Sequence, residues 1–291
     1  LKISRKAPAK INLSLDITGR RQDGYHLVRM IMQTVSLFDI IEIEDVLNPE
    51  NKELGEIILH CEDHSVPTDD RNLCVRAAKL MQRIYNIRSG FVINLEKHIP
   101  SAAGLAGGSS DAATVMMMIR DMFCPGITDN ELRDAVVSLG ADIPYCIMRG
   151  TALSEGIGEI LTPLKPIKKT KVILIKPDVD ISTQIAYKNF DNANYVEHPD
   201  TEALLDALYN EDMNRFSEHM ANVLENVSAG EYPIIYKLKS ELKEHGAFGS
   251  MMSGSGSTVF GLYREDDSAE TAYGYFKKKY PTLQVFLTET V

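Results

Sequence analysis

Pro100-Ser101-Ala102-Ala103-Gly104-Leu105-Ala106-Gly107-Gly108-Ser109-Ser110 runs straight into Asp111 to Phe123, an apolar stretch with the pattern of a buried helix. Small residues let a backbone approach an anion closely, and consecutive N–H groups form a concave nest. A helix N-terminus adds the positive end of its dipole. Ser109 and Ser110 carry hydroxyls that can donate to phosphate or ligate magnesium. The stretch is not a Walker A loop, because no Gly-Lys-Ser/Thr follows, and it lacks the G-x-G-x-x-G dinucleotide pattern. A flexible loop capped by Ser109 is the plainer account, and glycine content alone does not choose between the two. A second small-residue stretch, Ser253-Gly254-Ser255-Gly256-Ser257, would by itself read as a hairpin loop. Two such loops on one chain favour phosphate binding, one gripping each side of a polyphosphate.

Lys10 and Asn12 share the strand face opposite Ile11 and Leu13, a face that usually meets solvent. Asp142, two residues before Pro144, suits a helix N-cap, and that role does not exclude catalysis. His60-Cys61-Glu62-Asp63-His64 has no H-E-x-x-H order and no third ligand, and reads as a solvated turn. Met116, Met117 and Met118 lie in an apolar helix and read as core filler.

These groups need elements to hold them. Ile11, Leu13, Leu15 and Ile17 alternate with polar residues, the period of a half-buried strand. Asp23-Gly24 marks a tight turn, followed by two apolar runs, His26 to Leu37 and Ile40 to Val46. Residues 72 to 88 switch to helical spacing, and Phe91 to Leu95 returns to strand. Thr128 to Glu131 is a capping box opening a helix that ends near Gly140. Strands are predicted at 171–176, 258–263 and 283–288. Helices are predicted at 201–209, 211–226, 232–245 and 268–280, with Gly246 at a C′ position. Mixed strands and helices in both halves predict α+β domains.

The 291 residues correspond to about two domains. The proline- and lysine-rich segment 162–171 places their boundary, giving 1–165 with the glycine-rich loop and 166–291. Hydrophobic residues at 44% and charged residues at 25% exclude a disordered chain. With 31 basic and 41 acidic side chains, the net charge of −10 argues against a nucleic-acid or membrane-surface binder. Phosphate must then be handled locally, against the net charge. Cys61, Cys74, Cys124 and Cys146 form no C-x-x-C pair and read as free thiols in a reducing compartment. Leu1 to Lys6 lacks a signal-peptide core, and the best apolar run, Ala112 to Ile119, is too short to span a membrane. A soluble, cytoplasmic protein is expected.

Taken in order, Pro8 to Leu13, Pro100 to Ser110 and Met252 to Phe260 resemble the three motifs of the GHMP kinase superfamily. Ala7 to Leu13, Gly24-Tyr25-His26-Leu27, Asn72-Leu73 with Arg76-Ala77-Ala78, and Gly140 to Pro144 extend the likeness over nearly the whole chain. Ala106 departs from the pattern where many members carry glycine, narrowing the loop's freedom without closing the nest.

The resemblance implies a two-domain GHMP kinase fold, with an N-terminal domain like ribosomal protein S5 domain 2 and a ferredoxin-like C-terminal domain. It implies an ATP- and Mg2+-dependent kinase acting on the 2-hydroxyl of an erythritol that carries a cytidine diphosphate group, in the non-mevalonate route to isoprenoid precursors. By the same likeness Asp142 accepts the hydroxyl proton and Lys10 supports it. Residues Pro100 to Ser110 hold the triphosphate, and Asn72 and Lys97 lie near adenine and ribose. Tyr25, His26 and Tyr187 surround the cytosine, and Asn12 and Thr183 touch the substrate's hydroxyl or phosphate arms. No acidic magnesium ligand is identified. Another small-alcohol kinase of the superfamily is the nearest alternative, but the Gly-Glu-His element of the mevalonate-kinase first motif is absent. A sensor that kept the fold and lost catalysis would be expected to lack Lys10 or Asp142, and both are present. The His-Arg-Asp and Asp-Phe-Gly elements of protein kinases are missing.

Overall fold

The structure, a computed structural model, describes residues 1–46, 54–193 and 196–291. In chain order the elements are β1 (Lys2–Arg20), β2 (His26–Val46), β3 (Ile57–Cys61), α1 (Leu73–Tyr85), β4 (Gly90–Glu96), α2 (Gly107–Phe123), α3 (Asp129–Val136), α4 (Ile143–Met148), β5 (Thr151–Glu155) and β6 (Ile160–Pro163). Then follow β7 (Lys171–Lys176), α5 (Thr183–Asp191), α6 (Thr201–Tyr209), α7 (Met213–His219), α8 (Val223–Glu231), α9 (Ile234–Glu244), β8 (Gly249–Met252), β9 (Val259–Tyr263), α10 (Asp266–Lys279) and β10 (Gln284–Glu289). The α+β expectation holds.

Grouped by packing, the residues form two units that interleave in sequence. The first comprises Leu1–Ala9, Phe38–Ser101 and Ala106–Arg149; the second comprises Lys10–Leu37, Ala102–Leu105 and Gly150–Val291. The interleaving arises because β1 and β2, paired through the Asp23-Gly24 turn, each contribute residues to both units. A linear division at residue 165 falls between β6 and β7, inside the second unit.

In the first unit β4 lies between β3, its parallel partner, and the antiparallel end of β2, where Ile40–Val46 face Glu96–Gly90. Ile41, Ile43, Phe91, Ile93 and Leu95 are buried. Helices α1 and α2 pack on each other. α2 is buried from Ser110 through Ile119, and the three consecutive methionines are core, as expected. Thr128 and Glu131 make both bonds of the capping box that opens α3.

In the second unit the start of β2 pairs with β5 and β5 with β6, all antiparallel. A separate antiparallel sheet has the order β10-β7-β9-β8. Val172–Ile175 and the whole of β9 are buried, with α9 and α10 packed on this sheet.

Several elements differ from the sequence expectation. Residues 9–15 of β1 are buried on both faces, so Lys10 and Asn12 do not line a solvated face. The two apolar runs of residues 26–46 are one strand, β2, continuous through Asp39. The stretch 211–226 is two helices, because Met220 is extended and the Asn222 side chain caps a fresh start at α8. α2 begins at Gly107 rather than Asp111, because Ala106, not Ser109, occupies the N-cap. All four cysteines are free, and Cys74 and Cys146 are buried.

Candidate active site

Within the second unit, β1 brings Lys10 and Asn12 against the two small-residue stretches. Lys10 is buried, and its ammonium donates to Asn12 Oδ1 at 2.6 Å. The Lys10 amide donates to the Leu105 carbonyl at 3.1 Å. The Asn12 amide donates to Ser253 Oγ at 3.2 Å, and Ser253 Oγ donates to the Gly104 carbonyl at 2.9 Å. Thr183 and Ser255 share a hydroxyl–hydroxyl bond of 3.0 Å. Gly104 sits at φ +72, and a Cβ there would stand 2.0 Å from the Ser253 carbonyl oxygen. This glycine is therefore required by the close approach of two protein backbones.

Sequence reasoning missed the residues that hold this cluster. Asn222 Nδ2 donates to the carbonyls of Met252 at 2.9 Å and Gly254 at 2.8 Å, while its Oδ1 caps α8. Glu225 accepts the Met252 amide at 2.7 Å and pairs with Lys239. The available signal was Asn222 followed three residues later by Glu225, a helix-start spacing. Here the glutamate reaches a neighbouring strand end instead of its own N-cap.

The same unit assembles an aromatic cluster at the β1–β2 turn. His26 lies against Tyr187, with ring centroids 4.8 Å apart at 40°, and meets the edge of Phe190. His26 Nε2 is 2.7 Å from Asp191 Oδ1. Tyr25 is 60% exposed, an aromatic face left toward solvent. On α5, Thr183 and Tyr187 are four residues apart and so fall on one helical face.

In the first unit, the glycine-rich stretch ends in the start of α2. Ala106 takes the left-handed conformation, φ 54, and makes no side-chain cap bond. The first-turn amides of Gly107, Gly108 and Ser109 thus gain no capping side chain, which is what an anion-binding helix start requires. Ser110 Oγ donates to the Pro8 carbonyl at 2.6 Å. A Cβ on Gly107 would press on Ile99 at 3.0 Å and on Lys97 Nζ at 3.3 Å, whereas one on Gly108 would meet only Leu73 at 3.9 Å.

Asn72 and Lys97, expected near adenine and ribose, have structural bonds of their own. Asn72 caps α1 and donates to the Pro67 carbonyl at 2.7 Å. The Lys97 ammonium is buried between Asp39 and Asp111, 2.8 Å from the latter. Asp39 also accepts the amides of His98 at 2.5 Å and Ile99 at 2.8 Å. One Asp111 oxygen, by contrast, is buried without a hydrogen-bond partner. Burial drives the Asp111 carboxyl well above the usual carboxylate range, opposed by Lys97 and aided by Asp39. Burial would lower Lys97, but the two carboxylates outweigh it and raise the ammonium. Asp142 stands at the N-cap of α4, and its side chain makes no cap bond there. Pro100 and Ser101 lead the loop in this unit, while Ala102, Ala103, Gly104 and Leu105 belong to the second.

Among the described residues, no cluster of three or more His, Cys, Asp or Glu side chains is arranged to hold a metal ion. No helix among them is long and apolar enough to cross a membrane. His60 and Cys61 end β3, and the chain turns only after them, with Asp63 accepting the Ser65 amide at 2.9 Å.

Residues 72–150 match the GHMP kinase N-terminal domain, and residues 204–282 match the GHMP kinase C-terminal domain. The chain belongs to the GHMP kinase family. It is 47% identical over 98% of its length to the 4-diphosphocytidyl-2-C-methyl-D-erythritol kinase of Clostridium botulinum (strain Alaska E43 / Type E3), covering 99% of that protein. A relative of the same name from Clostridium beijerinckii is also 47% identical, over 98% of this chain and 99% of its own. A crystal structure of 4-(cytidine 5'-diphospho)-2C-methyl-D-erythritol kinase superposes with a TM-score of 0.81 at 28% identity, covering 99% of each chain. A homoserine kinase from Cytophaga hutchinsonii shares the fold, with a TM-score of 0.79 at 18% identity over 100% of this chain and 94% of its own.

Proposed function

We propose that this protein, an ATP-dependent small-molecule kinase, transfers the γ-phosphoryl group of ATP to the 2-hydroxyl of 4-diphosphocytidyl-2-C-methyl-D-erythritol. The observation that carries the reading is the 47% identity, end to end, with relatives of that name. The chain divides functionally into residues 1–165, with the ATP loop, and residues 166–291.

Phosphoryl transfer passes through a loose transition state, so positioning and charge stabilisation do most of the work. The uncapped start of α2 and the loop from Pro100 to Ser110 hold the triphosphate through backbone N–H groups. Asn72 and Lys97 lie at the adenine and ribose. Tyr25, His26 and Tyr187 take the cytosine, and Asn12 and Thr183 take the hydroxyl and phosphate arms. Asp142 accepts the hydroxyl proton late, because an alcohol is a poor acid. Lys10, its ammonium aimed by Asn12 Oδ1, lowers the cost of the forming alkoxide.

A magnesium ion would be held on the protein side by the Ser109 hydroxyl, since Ser110 donates to the Pro8 carbonyl and Asp111 pairs with Lys97 through one oxygen. It would neutralise phosphate charge.

The test is a transfer assay with ATP against sugar alcohols with and without the cytidine diphosphate group. Phosphate should appear on the cytidylated substrate; transfer only to uncytidylated alcohols, or none at all, would sink the reading. Asp142→Asn should cut kcat by about 10²–10⁴-fold. Its melting temperature should stay near parental, because asparagine keeps the shape of the side chain and its hydrogen-bond acceptor. Lys10→Ala should also slow turnover, and the double variant should be little worse than the worse single one. A parental rate in Asp142→Asn would remove Asp142 from the chemistry.

A further inference from the structure

His26 is held by more than stacking. Its Nε2 lies 2.7 Å from Asp191 Oδ1, at the last residue of α5. The other Asp191 oxygen is 3.3 Å from an Arg20 nitrogen, and Arg20 also donates through Nε to the Gly24 carbonyl at 3.2 Å. The guanidinium therefore ties the carboxylate to the turn that carries Tyr25 and His26. Tyr187, its ring centroid 4.8 Å away, and Phe190, nearly perpendicular at 6.4 Å, pack against the imidazole.

An ionised carboxylate only accepts hydrogen bonds, so the hydrogen between these groups belongs to Nε2. In a neutral imidazole the other nitrogen, Nδ1, then carries a lone pair and is an acceptor. A carboxylate behind a histidine sets the tautomer in just this way at metal sites. Cytosine and uracil differ at ring position 4: cytosine presents an amino donor, uracil a carbonyl acceptor. An Nδ1 held as an acceptor accommodates the first and faces the second lone pair to lone pair. A polar site left unpaired rejects the wrong partner far more strongly than an apolar pocket does.

We propose that Asp191 is a positioning residue that locks the His26 tautomer and thereby makes the base pocket select cytosine over uracil. The inference rests on the reading that His26 lies at the nucleobase, and it adds a residue and a discrimination that the reading alone does not contain. Sequence reasoning passed over Asp191 because nothing in the chain marks a partner 165 residues away from His26.

The experiment compares kcat/KM for the cytidine diphosphate substrate and its uridine counterpart at saturating ATP, in the parent and in His26→Ala, Asp191→Asn and Asp191→Ala. The parent should prefer the cytidine compound. Asp191→Asn keeps the shape but offers a donor as well as an acceptor to Nε2, freeing the tautomer. The cytidine-to-uridine ratio should fall by about tenfold or more, with the change in substrate KM and the KM for ATP unmoved. Asp191→Ala should reduce the ratio in the same direction. Independently, ¹⁵N spectra of the free protein should show His26 protonated at Nε2 in the parent and a mixture in Asp191→Asn.

Should His26→Ala leave substrate KM unchanged, the base-pocket reading fails and this inference with it. If His26→Ala raises substrate KM while both Asp191 variants keep the parental ratio, the pocket stands and the role of Asp191 is overturned. A parental His26 spectrum showing hydrogen at Nδ1 also overturns it.

Discussion

Pro100–Ser110 and Ser253–Ser257 are both rich in glycine and serine, yet they dispose of their polar groups differently. In the second stretch every serine hydroxyl is bonded to protein: Ser253 to the Gly104 carbonyl, Ser255 to Thr183, and Ser257 to the Val179 carbonyl at 2.5 Å. Asn222 holds carbonyls at Met252 and Gly254 from behind. The first stretch ends instead in a long helix whose N-cap residue has no side-chain bond to offer. Glycine and serine thus brace one place and open a long helix in the other. What separates them is whether neighbouring side chains have already satisfied the backbone.

The contrast is sharpest within the first stretch, because its glycines divide the same way. Gly104 belongs to the brace, at positive φ with the Ser253 carbonyl against it. Gly104→Ala should destabilise the protein by about 2–5 kcal/mol, combining left-handed strain with overpacking. A denaturant midpoint equal to the parent's would break the comparison.

A smaller effect is expected at Asp111, in the early turns of α2. Its carboxyl is raised to about 8, chiefly by burial. A group with a raised folded pKa contributes stability at low pH and loses it as pH rises through that value. Melting temperature should therefore fall between the ordinary carboxylate range and pH 8, and Asp111→Asn should flatten that fall by several degrees. An identical pH profile in the variant would show that Lys97 and Asp39 fully compensate the charge.

Gly108 lies at the start of α2, with room for a Cβ and only Leu73 nearby. Gly108→Val should melt near the parent while raising the KM for ATP about tenfold, since the side chain occupies space the phosphates need. Normal ATP affinity in a folded variant would return α2's start to the status of a plain loop end. The smallest change is Ala106→Gly. Left-handed alanine is strained, so glycine should stabilise by about 1 kcal/mol, read as a rise in denaturant midpoint, with ATP KM nearly unchanged.

Much of this was legible before any coordinates. The Thr128–Glu131 capping box, the Asp23-Gly24 turn, the strand at 171–176 and the helix at 201–209 follow local rules, and each appears where its residues place it. The motif residues of the likeness, Lys10, Asn12, Pro100 to Ser110, Asp142 and the Tyr25-His26 pair, were readable as a set because their spacing along the chain is itself the signal. The short strands β5, β6 and β8 and the helix α5 were not anticipated, since runs of four to nine residues carry little periodicity.

Sequence alone determined the α+β class, the family likeness and which residues are candidates for the chemistry. Only the tertiary structure decided that Gly104 is pressed against the Ser253 carbonyl while Gly108 leaves room for a side chain. It also showed that Lys97 stands between two buried carboxylates, that Lys10 points to Asn12, that Asn222 and Glu225 hold the second stretch from behind, and that Asp191 lies against His26. The reason is physical. Caps, turns and helical faces are set by neighbours within a few positions. The partner of a buried charge, or of an amide such as Asn12 N on Ser253 Oγ, is set by which distant segments the hydrophobic core brings together.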